Sequence, residues 1–264
     1  MPGTENMLTL DCTTYAGCSV VRPRGTLDAG TYASLRDDLL KYAAEEPAAV
    51  LVELDALHIA REHVLSVFSL LWMRVSEWPG VPLGLLVRNG VRRENVRHTV
   101  VARYVPVYAD LTEALDDQPQ QPRRRRTYSV LPTTARASGN ARRLVRETTR
   151  DWEIEAVSQD AQQVATELVE NALKHTNSTP GLRLELRSDM WRGLPQHMLS
   201  IAVADDSPAR PAAGAASPEL DSGRGLHLVA EFAHTWGSMP RLPGGKIVWA
   251  VLTLPRETRA RPHS

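Results

Sequence analysis

The chain has 264 residues, of which 42% are apolar, 23% charged and only 5% aromatic, and its 31 basic and 31 acidic side chains cancel. That length holds one large domain or two of ordinary size, and it buries a real core, which excludes disorder of the whole chain. A neutral chain also lacks the cation excess of a generic nucleic-acid or membrane-surface binder.

No apolar run approaches the roughly 20 residues that span a bilayer. The start, MPGTENMLTLD, has no basic stretch followed by an apolar one, so no secretory leader is expected. Cys12 and Cys18 fall outside metal-type spacing and are too few for a disulfide framework, which points to a cytoplasmic protein with reduced thiols. Only Lys41, Lys174 and Lys246 accompany 28 arginines, a bias typical of GC-rich bacterial genomes. The charge is uneven along the chain. Residues 1–116 carry 11 basic and 15 acidic groups, net −4, and residues 117–264 carry 20 and 16, net +4.

Leu8 and Leu10, then Cys18 and Val20, read as strands around a turn at Gly17. Gly25-Thr26-Leu27-Asp28 closes a strand, and Asp28 can cap a helix through Tyr32, Leu35, Leu39 and Leu40. The continuous apolar run Ala49–Leu54 is a buried strand. Residues 62–77 form an amphipathic helix with Val64, Val67, Phe68, Leu71 and Val75 inward, and Pro82–Val87 is another buried strand. Alternation of strands and helices predicts an α/β domain built from βαβ units.

The stretch DDQPQQPRRRR at 116–126 has no apolar residue, and a solvated linker is expected at 117–131. The Arg123–Arg126 run is read first as part of that linker and second as a partner or nucleic-acid patch. A basic helix over 134–151 follows, with Leu144 and Val145 on its apolar side. A second helix over 158–176 presents Val164, Ala165, Leu168 and Ala172 inward. Leu182, Leu184 and Leu186 alternate with charged residues as a half-buried strand, and Met198–Val203 is its hairpin partner. Residues 206–222 are rich in Ala, Pro, Ser and Gly and predict a loop. A helix over 224–235 and a strand over Lys246–Leu254 complete the second domain, leaving 258–264 as a tail.

Three features of this second domain carry chemistry. Glu167 and Asn171 lie one helical turn apart on one face. A carboxylate beside a carboxamide can align a hydroxyl while the amide oxygen holds a hard cation such as Mg²⁺. Asp205 sits where a buried strand ends. Ser222-Gly-Arg-Gly-Leu226 opens a helix with two glycines, and exposed N–H groups at such an N-terminus make a phosphate seat. Taken singly these are ordinary: a helix surface, a turn former and a helix start. Their order and spacing set them apart.

ELVENALKHT, VADDSP and SGRGLHLV, followed by GGKIVWAVL, resemble the N, G1 and G2 boxes of the GHKL ATPase superfamily, in its branch of anti-sigma-factor serine kinases. The resemblance covers about residues 132–256 and implies a Bergerat fold, helices layered on a mixed sheet with ATP beneath a lid. By that resemblance Glu167 is the general base and Asn171 the Mg²⁺ ligand. Asp205 receives the adenine amino group, with Ser207 beside it in the same box. Gly223, Arg224, Gly225 and Leu226 approach the phosphates. Lys174 and His175 lie on the next turn, where they either neutralise phosphate or serve the helix dipole. His175 is inside this box, with no separate dimerisation segment around it, which disfavours a sensor histidine kinase. Ser207 and Ala209 replace the two usual G1 glycines, and Ile247 stands where many relatives have Thr near the adenine.

In the first domain GTLD at 25–28, a helix, and AVLVELDAL at 49–57 resemble a STAS domain, the fold of anti-sigma-factor antagonists, over about residues 7–115. Where those antagonists carry a phosphorylatable serine, this chain reads Ala60-Arg61-Glu62-His63, with no hydroxyl. Glu62 is read first as a first-turn acid and second as a permanent negative charge at that place.

The expected function is therefore an ATP- and Mg²⁺-dependent partner-switching regulator: a serine kinase that phosphorylates a separate STAS antagonist, or sequesters a sigma factor, or both. Ser207, Ala209 and the missing serine motivate an alternative, a nucleotide-sensing module without phosphotransfer. A third reading, weaker against the neutral total, is a nucleic-acid-linked regulator, because residues 121–150 hold nine Arg against the single acid Glu147. No membrane partner is expected, and a homodimer is compatible with every reading.

Overall fold

The computed structural model describes residues 8–117, 124–176, 178–191, 194–207 and 224–255. It is an α/β protein of two compact units, the first made of residues 1–120 with 239–243 and the second of 121–238 with 244–264.

The first unit opens with the expected hairpin, β1 (Thr9–Tyr15) and β2 (Cys18–Leu27). Ala16 and Gly17 both have positive φ, 49° and 78°, and Tyr15 pairs with Cys18 across them. A two-residue turn of that handedness matches the twist of the strands it joins. Helix α1 (Tyr32–Ala44) follows an Asp28 whose Oδ1 accepts from Gly30 N at 2.8 Å and Thr31 N at 3.0 Å. Asp28 thus turns the chain into the helix as expected, three residues ahead of the assigned cap.

Then come β3 (Val50–Glu53), the short β4 (Leu57–Ile59), α2 (Ser66–Glu77) and β5 (Leu83–Leu86). The helix expected from residue 62 begins as a 3-10 turn over Glu62–Leu65. Residues 90–116 show no clean periodicity, yet they form α3 (Gly90–Arg97), β6 (Val107–Tyr108) and α4 (Leu111–Asp116). Both helices carry local caps: Asn89 Oδ1 accepts from Arg92 N at 2.9 Å, and Asp110 Oδ1 from Glu113 N at 3.0 Å.

The sheet runs β1-β2-β3-β5-β6, antiparallel at the hairpin and parallel from β2 onward, with β4 alongside β2. Cys18, Val20, Leu51 and Leu86 pack on Ala114 of α4. Val50, Val52, Leu83 and Leu85, buried as well, alternate to the other face. Strands buried on both faces must be apolar throughout, which is why they were legible as continuous runs.

The second unit is a sheet of order β10-β11-β9-β8-β7, antiparallel from β11 through β9 and β8 to β7. Its first strand, β7 (Arg124–Val130), corrects the linker assignment over 124–130. Composition hid it because Arg124 and Arg126 are matched within the fold: they clamp the Glu185 carboxylate at 3.3 and 2.5 Å, with Glu185 only 5% exposed. Those two arginines are structural, which removes half of the basic run from any partner patch.

Helices α5 (Arg136–Asp151) and α6 (Ser158–His175) follow, then the hairpin β8 (Gly181–Trp191) and β9 (Leu194–Asp205). The expected loop over 206–222 lies outside the described residues from 208 on. Helix α7 (Arg224–Phe232) ends earlier than the pattern implied, because Thr235–Pro240 is strand β10, and β11 (Lys246–Thr253) closes the sheet. Val164, Ala165, Leu168 and Ala172 of α6, all 1% exposed or less, lie in one core with Leu182, Ile201 and Val248 of the sheet and Val229 of α7. Burying one such aliphatic side chain contributes about 1.5–3 kcal/mol.

Candidate functional site

Helix α6 lies against the sheet through its apolar stripe, so its next face carries Glu167, Glu170 and Asn171, each half-buried. Glu170 Oε1 accepts from Ser138 Oγ of α5 at 3.2 Å. Asn171 differs: its Nδ2 is buried and makes no hydrogen bond. Leaving such a donor unmet costs about 1–3 kcal/mol.

Glu167 reaches α7. A Cβ on Gly225 would stand 2.5 Å from its Oε2, so any larger residue there would push the Glu167 carboxylate aside. Burial pushes the Glu167 carboxyl above its ordinary value, the Glu170 charge adds to that, and the Lys174 ammonium opposes it. Two residues from different boxes, Glu167 and Gly225, are therefore neighbours in space. Lys174 itself is exposed. Gly223 and Ala209, and the side chains of His175 and Arg224, lie outside the described residues. Leu226 is 6% exposed and sits in the core cluster with Val229, so its side chain docks α7 and its backbone N–H is the part left for a phosphate.

Asp205 ends β9 with its residue 1% exposed. Its Oδ1 accepts from Ser207 N at 2.8 Å and from Lys246 Nζ at 3.0 Å, while its Oδ2 is buried and without a partner. Ser207 thus tightens the turn through its backbone. The loop is also anchored to the segment after α6, because Asp206 N donates to Ser178 Oγ at 3.2 Å. Lys246 is opposite Asp205 in the β9–β11 register, and Ile247 is opposite Ala204. Alternation therefore turns Ile247 to the other face of the sheet, away from the place beside the Asp205 side chain. Lys246 takes that place. The clue was in the sequence: one of three lysines in an arginine-rich chain, at the first position of an otherwise apolar strand.

The arrangement offers one buried acceptor at Asp205, one buried donor at Asn171 and a carboxylate of raised pKa between α6 and α7. Among the described residues no group of three or more His, Cys, Asp or Glu could hold a metal. The unmet Asn171 Nδ2 is a donor and fits an acceptor such as a phosphate oxygen, which leaves the amide oxygen as the atom able to hold a cation. In the first unit Glu62 is exposed and lines a cavity of about 330 Å³ with His58, Arg92 and Asn95. Among the described residues no helix is long and apolar enough to cross a membrane.

No family model matches the chain, and no curated protein matches it. Among solved structures it is similar to an anti-sigma factor antagonist from Mycobacterium paratuberculosis, at 20% identity over 45% of this chain and 98% of that one, TM-score 0.38. It is also similar to the anti-sigma factor antagonist SpoIIAA in its unphosphorylated form, at 17% identity over 42% and 96%, TM-score 0.31. The histidine kinase AdeS of Acinetobacter baumannii matches at 11% identity over 85% of this chain and 96% of that one, TM-score 0.22. Scores of this size decide neither fold nor function, which rest on the chain's own topology and side chains.

Proposed function

We propose that the second unit is a GHKL-type nucleotide site of the anti-sigma-factor serine kinase kind, joined to a STAS-like first unit in a partner-switching regulator. The observation that carries this reading is the pair of buried, unmet polar atoms, Asp205 Oδ2 and Asn171 Nδ2, on the two boxes that would hold the base and the phosphates. ATP with Mg²⁺ would supply the γ-phosphoryl group and neutralise its charge. Asp205 would hold the adenine amino group, and Asn171 would offer Nδ2 to a phosphate oxygen and its amide oxygen to the cation. Gly225 keeps the Glu167 carboxylate in reach of α7, where it would accept the proton of an incoming serine hydroxyl. The acceptor serine would belong to a separate STAS antagonist, since Ala60–His63 offers none. Sequestration of a sigma factor by the same unit belongs to this reading as its regulatory output.

The test incubates the protein with labelled ATP and candidate STAS antagonists. Wild type forms phosphoserine on the partner, and Glu167→Gln lowers the rate about 10²–10⁴-fold while nucleotide binding persists. Unchanged phosphoserine formation by Glu167→Gln removes the base assignment.

A second reading, a nucleotide sensor without transfer, is favoured by Ser207 and Ala209 in place of the G1 glycines. Magnesium-dependent ATP binding by calorimetry, with no phosphoserine on any STAS partner, selects it.

A further inference from the structure

Lys246 has no part in the site as proposed so far, yet it is the group in closest contact with the Asp205 side chain apart from a backbone amide. We propose that Lys246 is a positioning residue that makes Asp205 read the 6-amino group of a purine through a single oxygen. The inference rests on the nucleotide reading above and adds its base specificity.

Lys246 Nζ lies 3.0 Å from Asp205 Oδ1, with the two side chains 5% and 0% exposed. Ser207 N donates to the same oxygen at 2.8 Å. Two donors on Oδ1 hold the carboxylate against rotation about its Cβ–Cγ bond. They leave Oδ2 as the one open acceptor, buried and without a partner. An ionised carboxylate only accepts hydrogen bonds. What meets Oδ2 must therefore be an N–H donor, as the 6-amino group of adenine is. A 6-oxo purine presents a carbonyl oxygen there, lone pair against lone pair, and an unsubstituted purine presents nothing. Discrimination is strong when a buried polar group is left unmet by the wrong ligand.

The backbone holds the lysine in place. Lys246 and Asp205 are register partners on β11 and β9. Gly245, at φ +91°, has no room for a Cβ, which would collide with the Asp205 carbonyl oxygen. A shift of β11 by one residue would bring Ile247 to the carboxylate and leave it without a counter-charge.

The experiment titrates the full chain with the Mg²⁺ complexes of ATP, inosine triphosphate and purine riboside triphosphate, and with AMP, by calorimetry. Wild type is expected to prefer ATP over the 6-oxo and unsubstituted analogues by about 100-fold or more. Lys246→Met leaves the Ser207 amide as the one donor on Oδ1, so Oδ2 can swing out of line with the base, and the preference falls to within about 3-fold while the ATP-to-AMP ratio is unchanged. Lys246→Arg keeps the charge and the fold, and its bidentate fork covers Oδ2 as well, so it too loses the preference. A merely structural lysine would weaken every nucleotide alike and leave the base ratio intact. Either variant, folded by circular dichroism and keeping the wild-type ratio, overturns the proposal and leaves the nucleotide reading standing. Wild type that binds none of the four ligands overturns the nucleotide reading itself.

Discussion

Glu53 and Asp205 both end a buried strand, one in each unit, and their environments diverge. Glu53 uses both oxygens: Oε2 takes Arg22 Nε at 3.0 Å and Oε1 takes Arg88 at 3.3 Å, with arginine side chains 30% and 69% exposed. Asp205 is fully enclosed, uses one oxygen twice and leaves the other unmet. Glu185, between Arg124 and Arg126, behaves like Glu53 although it sits in the second unit. The difference therefore follows the site and not the unit. Glu53 and Glu185 have both oxygens in ion pairs, whereas Asp205 keeps one oxygen open, which on the proposed reading is the one a ligand would meet.

The largest effect should come from Asp205→Asn. Removing one charge of a pair this buried strands the Lys246 ammonium and is expected to cost about 3–5 kcal/mol in urea unfolding of the second unit. A loss below 1 kcal/mol would make Asp205 the equal of Glu53 and erase the contrast. Leu168→Ala, at a core position 0% exposed, should follow at about 2–5 kcal/mol. It measures what the scaffold contributes where no ligand is involved. Glu53→Gln should cost about 1 kcal/mol or less, because Arg22 and Arg88 can turn to water. A loss as large as that of Asp205→Asn would show that Glu53 is no mere surface clamp.

The smallest effect concerns Glu167. Burial raises its folded pKa above the unfolded value, so folding disfavours the ionised form. Its contribution is greatest below the ordinary carboxylate range and is lost as pH rises through the raised value. Glu167→Gln should therefore melt slightly higher than wild type at neutral pH, with the difference fading toward pH 4. The substitution that abolishes a base would thus stabilise the fold, and a lower melting temperature at pH 7 would contradict the assignment.

The alternating and continuous apolar patterns made most of both sheets legible, from the β1–β2 hairpin through β3 and β5 to β8, β9 and β11. Helices α1, α2, α5 and α6 followed from their apolar stripes. What stayed hidden had a physical cause in each case. Strand β7 was masked by arginines whose partner, Glu185, is some sixty residues away. Helices α3 and α4 are short and capped locally by Asn89 and Asp110, with one buried residue each, Val96 and Ala114. Strands β4 and β6 have three and two residues, too few to show a period.

By itself the sequence determined that the chain is α/β, with a break in composition near its middle and an ordered set of Glu167, Asn171, Asp205 and Gly225. Those follow from local periodicity and spacing, which a linear chain records directly. Tertiary structure decided that Glu167 meets Gly225, that Leu226 belongs to the core, and that Lys246 rather than Ile247 faces Asp205. Each of these depends on strand register or helix packing between residues distant in sequence. A one-residue slip in that register would exchange the charged partner for an apolar one without changing a letter of the chain.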